Sequence, residues 1–198
     1  MTKPSRAPAE GGTEGGTNVL GVVLAAGAGT RYGSPKIVAR QGEWLRLAVA
    51  ALAGAGCREV IVTMGARVVE PPAGSSAVVV SDWADGLSAT VRAAVIEAGR
   101  RSWVHGMVLH VVDTPDVGAD VVARVLSATG GRADRLGRAV FDGAPGHPVY
   151  IGVRHLDALV AGLDGDVGAG PYLRTHAREV IEVECGDLAT GTDRDVAD

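Results

Sequence analysis

The sequence predicts an α/β fold in which helices cover both faces of a mostly parallel sheet. Through the first two thirds of the 198-residue chain, short apolar runs alternate with segments whose apolar residues recur at helical spacing. This alternation is typical of parallel sheets, whose strands are joined by helices. The run at 60–62 is apolar on both faces, as a central parallel strand requires.

The individual elements follow from the spacing of their apolar residues. The segments predicted as strands are 19–24, 59–64, 77–80, 107–112, 139–141, 149–151 and 180–183. The segments predicted as helices are 43–55, 87–98, 120–128, 156–163 and 171–176. Residues 142–148, which separate two late strands and are rich in glycine and proline, are predicted to form a loop.

The composition argues against several classes of protein. With 19 basic and 23 acidic residues the net charge is -4, which does not suggest bulk binding of nucleic acid. Cys57 and Cys185 fit neither a disulfide framework nor a zinc motif, so we expect reduced thiols and a cytoplasmic protein. No apolar run approaches the ~18 residues of a membrane helix. Residues 1–17 are expected to be a disordered tail, and residues 18–198 a single domain.

The segment LAAGAGTRYGSPK at 24–36 is the most informative functional signal. It follows the first predicted strand and surrounds two cations, Arg31 and Lys36, with glycines. Glycines let backbone N–H groups approach an anion, and the cations supply the charge that a polyphosphate needs. We interpret this loop as the binding site of a nucleoside triphosphate. The alternative is a glycine-rich turn with a surface arginine and lysine.

The loop differs from the two commonest phosphate-binding motifs. A P-loop has glycine before its lysine and Ser or Thr after it, whereas Pro35 and Ile37 flank Lys36 here. The glycine spacing is G-x-G-x-x-x-G, and a dinucleotide fingerprint requires G-x-G-x-x-G.

Asp113 follows the predicted strand 107–112 and is a candidate ligand of Mg²⁺, which prefers hard oxygen donors. The alternative is a turn-forming aspartate before the next helix. Ligands gather at the carboxyl ends of parallel strands, so we expect Asp113 to lie near Lys36. Ser88, at the start of a predicted helix, could bind a ribose or base edge or simply cap the helix. Asp82 is a weaker candidate.

The loop at 24–36 resembles the signature loop of nucleotidyltransferases with a glycosyltransferase-A-like fold. The rest of the chain most resembles the molybdenum-cofactor cytidylyltransferase group over about residues 19–197. The further landmarks are Gly86-Leu87-Ser88, Asp113 with Pro115, Gly146-His147-Pro148 and Gly165-Asp166 with Gly168. The resemblance implies a Rossmann-like three-layer αβα sandwich. It also implies Mg²⁺-dependent transfer of CMP from CTP to a phosphate of molybdopterin, with pyrophosphate released.

The resemblance assigns roles to individual residues. Catalysis would depend on Arg31, Lys36 and Asp113, with Asp113 also holding the metal. The nucleotide-binding residues would be Leu24, Ala25, Ala26, Gly27, Gly29, Gly33, Asp82 and Ser88. The acceptor-binding residues would be Gly146, His147 and Asp166. Ala26 favours CTP, because similar guanylyltransferases have glycine at this position, which leaves room for a purine.

The chain departs from the family pattern at several positions. Gly191 stands where the family has a second acid, so Asp187 or Asp193 could replace it, one carboxylate plus phosphates could suffice, or catalysis could be lost. Gly170 replaces an arginine, and Val112 and Thr114 replace the residues that flank the metal-binding aspartate. The alternative functions are transfer of GMP, transfer to a sugar or polyol phosphate, and a non-catalytic accessory role toward a molybdenum hydroxylase client.

Overall fold

A computed structural model of the chain describes residues 17–30 and 32–194. The strands are β1 (Thr17–Ala25), β2 (Cys57–Met64), β3 (Ser76–Val79), β4 (Gly106–Val111), β5 (Leu136–Phe141), β6 (Ala144–Gly152) and β7 (Val180–Glu184). The helices are α1 (Glu43–Gly54), α2 (Leu87–Gly99), α3 (Ala119–Thr129), α4 (Leu156–Ala161) and α5 (Gly170–Thr175).

The strands form one seven-stranded sheet in the order β3-β2-β1-β4-β6-β5-β7. Strand β1 pairs in parallel with β2 and β4, β2 with β3, and β5 with β7. Strand β6 runs antiparallel to both of its neighbours, β4 and β5. The predicted mostly parallel sheet is therefore confirmed.

Helices cover both faces of this sheet. On one face, α1 and α3 contribute Leu45 and Val121 to a core that includes Val23 of β1. On the other face, α2 and α4 contribute Val91 and Leu156 to a second core. The side chains of β1 contribute to both cores because successive side chains of a strand point to opposite faces of the sheet. The three-layer αβα sandwich is confirmed.

The predicted loop at 142–148 is wrong, because most of it belongs to β6. Strands β5 and β6 form a hairpin whose turn is Asp142-Gly143, with φ of 50° and 78°. Positive φ at both central residues is the geometry that Asp-Gly favours in two-residue hairpins. Gly146, His147 and Pro148 therefore lie in a strand, and the His147–Pro148 peptide bond is cis.

The described part of the chain begins one residue earlier than the predicted domain boundary. The backbone N–H and the hydroxyl of Thr17 both donate to the carbonyl of Gly56, at 3.1 and 2.7 Å. Thr17 therefore belongs to the sheet, and the rest of the expected tail, residues 1–16, lies outside the described residues. Cys57 and Cys185 are both buried free thiols. None of the helices within 17–30 and 32–194 has the length and apolarity needed to cross a membrane.

Candidate active site

The candidate site is a cleft of about 610 Å³ at the carboxyl ends of β1 and β4. These strands are neighbours, and Leu24 pairs in register with Val111. Strands β2 and β3 lie on one side of β1 in the sheet, and β4 lies on the other side. The loops that follow β1 and β4 therefore diverge at a topological switch point, where open α/β sheets bind their ligands.

The glycine-rich loop after β1 forms one wall of the cleft. The lining includes Leu24 and Ala25 at the end of β1 and then Ala26, Gly27, Ala28, Gly29, Thr30 and Tyr32 of the loop. Gly29 has φ of 62°, and a Cβ at this position would lie 2.0 Å from the carbonyl oxygen of Ser34. The N–H of Gly33 donates to the Gly29 carbonyl at 2.9 Å, so the loop folds back on itself. Gly33 does not line the cleft, and Arg31 lies outside the described residues.

Lys36 and Asp113 meet inside the cleft. The Lys36 Nζ lies 2.7 Å from the Asp113 Oδ2, and the two side chains are 14% and 21% exposed. Lys36 begins the 3₁₀ segment Lys36–Gly42 after the loop, and Asp113 follows the end of β4. The fold thus brings an ammonium and a carboxylate from distant parts of the sequence to the site where phosphates and a metal ion would bind.

Of the two acids proposed to replace the one missing at position 191, Asp193 lines the cleft. The backbone N–H of Arg194 donates to the Asp113 carbonyl at 2.9 Å, which brings the C-terminal segment against the end of β4. Asp187 instead forms a bidentate pair with Arg124, at 2.5 and 2.9 Å, outside the cleft. Within residues 17–30 and 32–194 no cluster of three potential metal ligands occurs. Asp113 and Asp193 supply two.

The conformation of the C-terminal segment depends on Gly191 and Asp116. Gly191 has φ of 61°, and a Cβ there would lie 2.2 Å from the ring of Phe141. The Asp116 carboxylate accepts hydrogen bonds from the N–H and hydroxyl of Thr190, at 2.7 and 2.6 Å. Burial raises the pKa of Asp116, but these hydrogen bonds outweigh it and lower the pKa overall. Because a Cβ at position 191 would clash with the Phe141 ring, an aspartate there is sterically incompatible with this conformation of the segment.

The opposite wall of the cleft is built around the start of α2. Gly86 has φ of 105°, and a Cβ would lie 2.5 Å from the Gly165 carbonyl, so only glycine allows the two loops to approach. Asp166 lines the cleft and accepts a hydrogen bond from the Leu87 N–H at 3.3 Å. Ser88 is buried, and its backbone N–H donates to Gly165 at 3.1 Å.

Sequence reasoning included some residues outside this wall and missed others within it. Asp82 is exposed and does not line the cleft; its carbonyl accepts from the Asp85 N–H at 2.9 Å. Trp83 and Thr90 do line it. The position of an aromatic residue three residues before Gly86-Leu87-Ser88 is a sequence signal that could have identified Trp83.

Ala26 is 2% exposed and packs in a small buried cluster with Val80 and Ala89. Its carbonyl accepts a hydrogen bond from the Ala66 N–H at 2.9 Å. The residue from which a preference for CTP was predicted is therefore fixed in the wall of the cleft.

A second pocket of about 480 Å³ adjoins the cleft and contains the predicted acceptor residues Gly146, His147 and Asp166. The carbonyl of Leu109 can only accept, so the His147 Nδ1, 3.2 Å away, carries the proton. Burial lowers the pKa of His147, although the Leu109 carbonyl and the carboxylates of Asp113 and Asp193 oppose this effect. The imidazole is therefore neutral at pH 7.

Comparison with known proteins connects this geometry with a family. The family described as MobA-like NTP transferase domain matches residues 21–180, which include the glycine-rich loop, Asp113 and Asp166 but not Asp193. Nicotine blue oxidoreductase of Paenarthrobacter nicotinovorans is 29% identical over 195 residues, which cover 91% of this chain and 93% of that protein.

Solved structures show the same fold over most of the chain. Rv0371c from Mycobacterium tuberculosis H37Rv is similar with a TM-score of 0.70 and 27% identity, covering 89% of this chain and 93% of that one. The complex of Rv0371C with manganese is similar with a TM-score of 0.67 and 26% identity, again covering 89% of this chain and 93% of that one.

Proposed function

The chain belongs to the MobA-like NTP transferase domain family, and on that premise we propose that it transfers CMP from CTP to a phosphate of a molybdopterin-type acceptor. The observation that carries this proposal is the contact between Lys36 and Asp113, 2.7 Å apart beside a glycine-rich loop. An ammonium and a carboxylate at this place suit a triphosphate and its counterion. The adjoining pocket with His147 provides a site for the acceptor.

In the proposed reaction an oxygen of the acceptor phosphate attacks the α-phosphorus of CTP. A new P–O bond forms, the bond between the α-phosphorus and its bridging oxygen breaks, and pyrophosphate leaves with the electron pair. Backbone N–H groups of the loop hold the phosphates, and Lys36 neutralises charge that develops on the leaving group. Such catalysis consists mainly of positioning and charge stabilisation, so it needs no protein nucleophile.

The residues at the cleft fit a divalent cation such as Mg²⁺. Asp113 and Asp193 both line it and offer hard oxygen donors, and Mg²⁺ in nucleotide sites is held by one or two carboxylates together with phosphate oxygens. The manganese complex of Rv0371C supports this assignment. When bound, the ion neutralises phosphate charge and orients the α-phosphate.

The decisive experiment is release of pyrophosphate from the full-length chain mixed with CTP, Mg²⁺ and molybdopterin. We expect release with CTP and much less with GTP, because Ala26 stands where similar guanylyltransferases have glycine. Faster release with GTP would reverse the choice of base. Release with a sugar or polyol phosphate in place of molybdopterin would reverse the choice of acceptor. Binding of CTP or molybdopterin without release would indicate an accessory, non-catalytic protein.

One observation favours a second candidate function, a redox activity. The relative from Paenarthrobacter nicotinovorans carries the name of an oxidoreductase and matches nearly the full length of both chains. Reduction of a conjugated substrate requires an electron donor, and the diphosphate of a reduced nicotinamide nucleotide presents the same anionic chemistry as a triphosphate. Oxidation of NADH or NADPH by this chain in the presence of nicotine blue, followed by absorbance, tests this alternative.

A further inference from the structure

The second pocket offers an apolar enclosure beside the candidate active site. It shares part of its wall with the cleft, through Leu24, Leu87, Val111 and Asp166. Its own wall is largely apolar and includes Leu109, Val149 and Leu173. The volume of about 480 Å³ lies within the range of about 300–1,000 Å³ that is usual for small-molecule sites. A ring system held here would lie next to a nucleotide in the cleft.

The second pocket is lined by more positively than negatively charged side chains. Two guanidinium groups, Arg138 and Arg174, line it together with one carboxylate, Asp166. Arg138 Nη2 donates to the Glu182 carboxylate on the neighbouring strand β7, so its charge is already matched. Asp166 in turn accepts the Leu87 N–H. This hydrogen bond leaves the Asp166 carboxylate charged, and Arg174 is the cation of the pocket that no carboxylate among the described residues pairs with.

Arg174 is exposed at the edge of the pocket. Among residues 17–30 and 32–194, no carboxylate lies within ion-pair distance of its guanidinium, and its side chain makes no hydrogen bond. A guanidinium in this state is available to an anion, and its planar donors match the oxygens of a carboxylate or phosphate in bidentate geometry.

The Arg174 guanidinium lies beside Gly170. A Cβ built on Gly170 would lie 3.4 Å from Arg174 Nη1. Both residues belong to α5, where a side chain leans back over the residue four positions earlier. Arg174 Nη1 thus lies at van der Waals distance from the position that a Cβ at 170 would take. Arg174 brings a guanidinium to the edge of the second pocket from one turn after Gly170.

We propose that Arg174 binds an anionic group of the acceptor, which is a small molecule with a largely apolar or aromatic ring system and a carboxylate or phosphate. The description of this ligand as the acceptor rests on the proposed function; the preference for an anion does not.

The test compares two fluorescent pterins, pterin-6-carboxylate and 6-hydroxymethylpterin, which differ in one anionic group. The full chain is expected to bind the carboxylate roughly tenfold more tightly, as one charge-assisted hydrogen bond allows. Arg174→Gln should abolish this preference, and adding Gly170→Arg to that variant should restore it. Arg178→Gln removes the same charge from an exposed position outside both pockets and should keep the preference.

Several results would overturn the assignment. These are failure of the full chain to bind either pterin, equal affinity for the two, an unchanged preference in Arg174→Gln, and loss of the preference in Arg178→Gln. CTP binding by the same proteins is measured in parallel by calorimetry. If the full chain does not bind CTP but still prefers the carboxylate, the proposed function fails while the assignment of Arg174 stands.

Discussion

At the scale of single residues, Lys36 and Asp113 define what the cleft can bind. Each holds the other at 2.7 Å, and both side chains are largely buried. A triphosphate with its counterion offers new partners to both groups, since phosphate oxygens attract the ammonium and the cation attracts the carboxylate. The ion pair therefore holds the ammonium and the carboxylate at the positions where each can contact the bound nucleotide and its cation.

Replacement of Lys36 by alanine tests this role directly. If Lys36 supplies a few kcal/mol of transition-state stabilisation, Lys36→Ala should lower kcat by on the order of 10²-fold. Asp113→Asn should have an effect of similar size. Initial rates of pyrophosphate release measure both. Arg135→Gln removes one positive charge from an exposed position outside the cleft and should leave kcat unchanged. Normal turnover of Lys36→Ala would contradict the mechanism.

The assignment of the second acid is tested by a matched pair of variants. Asp193 lines the cleft, whereas Asp187 pairs with Arg124 outside it. Asp193→Asn should weaken binding of Mn²⁺ in the presence of a non-hydrolysable CTP analogue by on the order of tenfold, equivalent to about 1.4 kcal/mol. Asp187→Asn should leave it unchanged. Electron paramagnetic resonance of free Mn²⁺ gives both affinities, and equal values for the two variants would rule out Asp193 as a ligand.

At the scale of elements, the C-terminal segment and the β5–β6 hairpin depend on each other. Phe141 at the end of β5 packs over Gly191, and Glu184 of β7 accepts hydrogen bonds from the Asp142 and Gly143 N–H groups of the hairpin turn at 3.0 and 3.1 Å. The segment that carries Asp193 is thus positioned by the β5–β6 hairpin, whose strands lie beyond β4 in the strand order of the sheet.

Gly191→Ala should disturb this arrangement. The methyl group would face both an unfavourable φ and the Phe141 ring, so we expect a loss of about 1–3 kcal/mol in the free energy of unfolding. Urea denaturation measures it. Gly99→Ala is the control, because Gly99 ends α2 with negative φ and nothing lies within 4 Å of its added Cβ. Equal stability of Gly191→Ala and the unmodified protein would contradict the described geometry.

The stabilisation by Glu184 should depend on pH. Hydrogen bonds from the backbone N–H groups of Gly186, Gly143, Asp142 and Cys185 together outweigh the opposing effect of desolvation and lower the pKa of Glu184 below its usual 4.5. A lowered pKa means that this stabilisation is present above pH 4.5 and is lost as the pH falls through the folded-state pKa. Glu184→Gln should therefore lower Tm at pH 7, and the difference from the unmodified protein should shrink below pH 4.5. A Tm difference that is constant with pH would contradict this account.

The elements also show which parts of the structure the sequence could predict. Strands β1, β2 and β4 each contain an apolar run that is buried on both faces, at 19–23, 60–62 and 107–109, and these runs identify the strands directly. The second half of β6 was predicted as a strand, but its first half was missed because Pro145, Gly146 and Pro148 are typical of loops, although Asp142-Gly143 is a common hairpin signal.

In the candidate site, too, some features could be predicted from the sequence and others could not. The meeting of Lys36 with Asp113 could be predicted, because parallel strands bring their carboxyl ends to one edge. The choice between Asp187 and Asp193 could not be predicted, because it depends on a non-local contact of the C-terminal segment with Asp113. The position of Arg174 depends on side-chain direction in a short helix, which the spacing of apolar residues does not specify.

At the scale of the whole molecule, the sheet combines a parallel half that forms the cleft with a mixed half that forms the second pocket. The two halves meet where β4 pairs with antiparallel β6, and His110 lies in β4 with its ring 1% exposed. Neither ring nitrogen of His110 has a hydrogen-bond partner among residues 17–30 and 32–194. A histidinium at this position would be a buried charge without compensation, so the imidazole must remain neutral for the sheet to stay folded.

This requirement predicts how global stability changes with pH. Burial, with a smaller effect of the nearby His147, lowers the pKa of His110 from 6.5 to about 3. The unfolded chain therefore binds a proton near pH 6.5 while the folded chain does not, and stability falls as the pH drops from 6.5 toward 3. Between pH 7 and pH 5 His110 should account for a loss of about 2 kcal/mol in the free energy of unfolding.

Chemical denaturation at a series of pH values measures this loss. His110→Met should remove most of the slope between pH 7 and pH 5, because methionine fills the site without titrating, and the remaining slope should come partly from His147, whose pKa is also lowered. His105→Met, at an exposed position, should keep the full slope. If His110→Met and the unmodified protein lose stability in parallel as the pH falls, His110 is not the buried group that links folding to pH. The acid sensitivity of the fold would then have to arise from titrating groups outside the centre of the sheet.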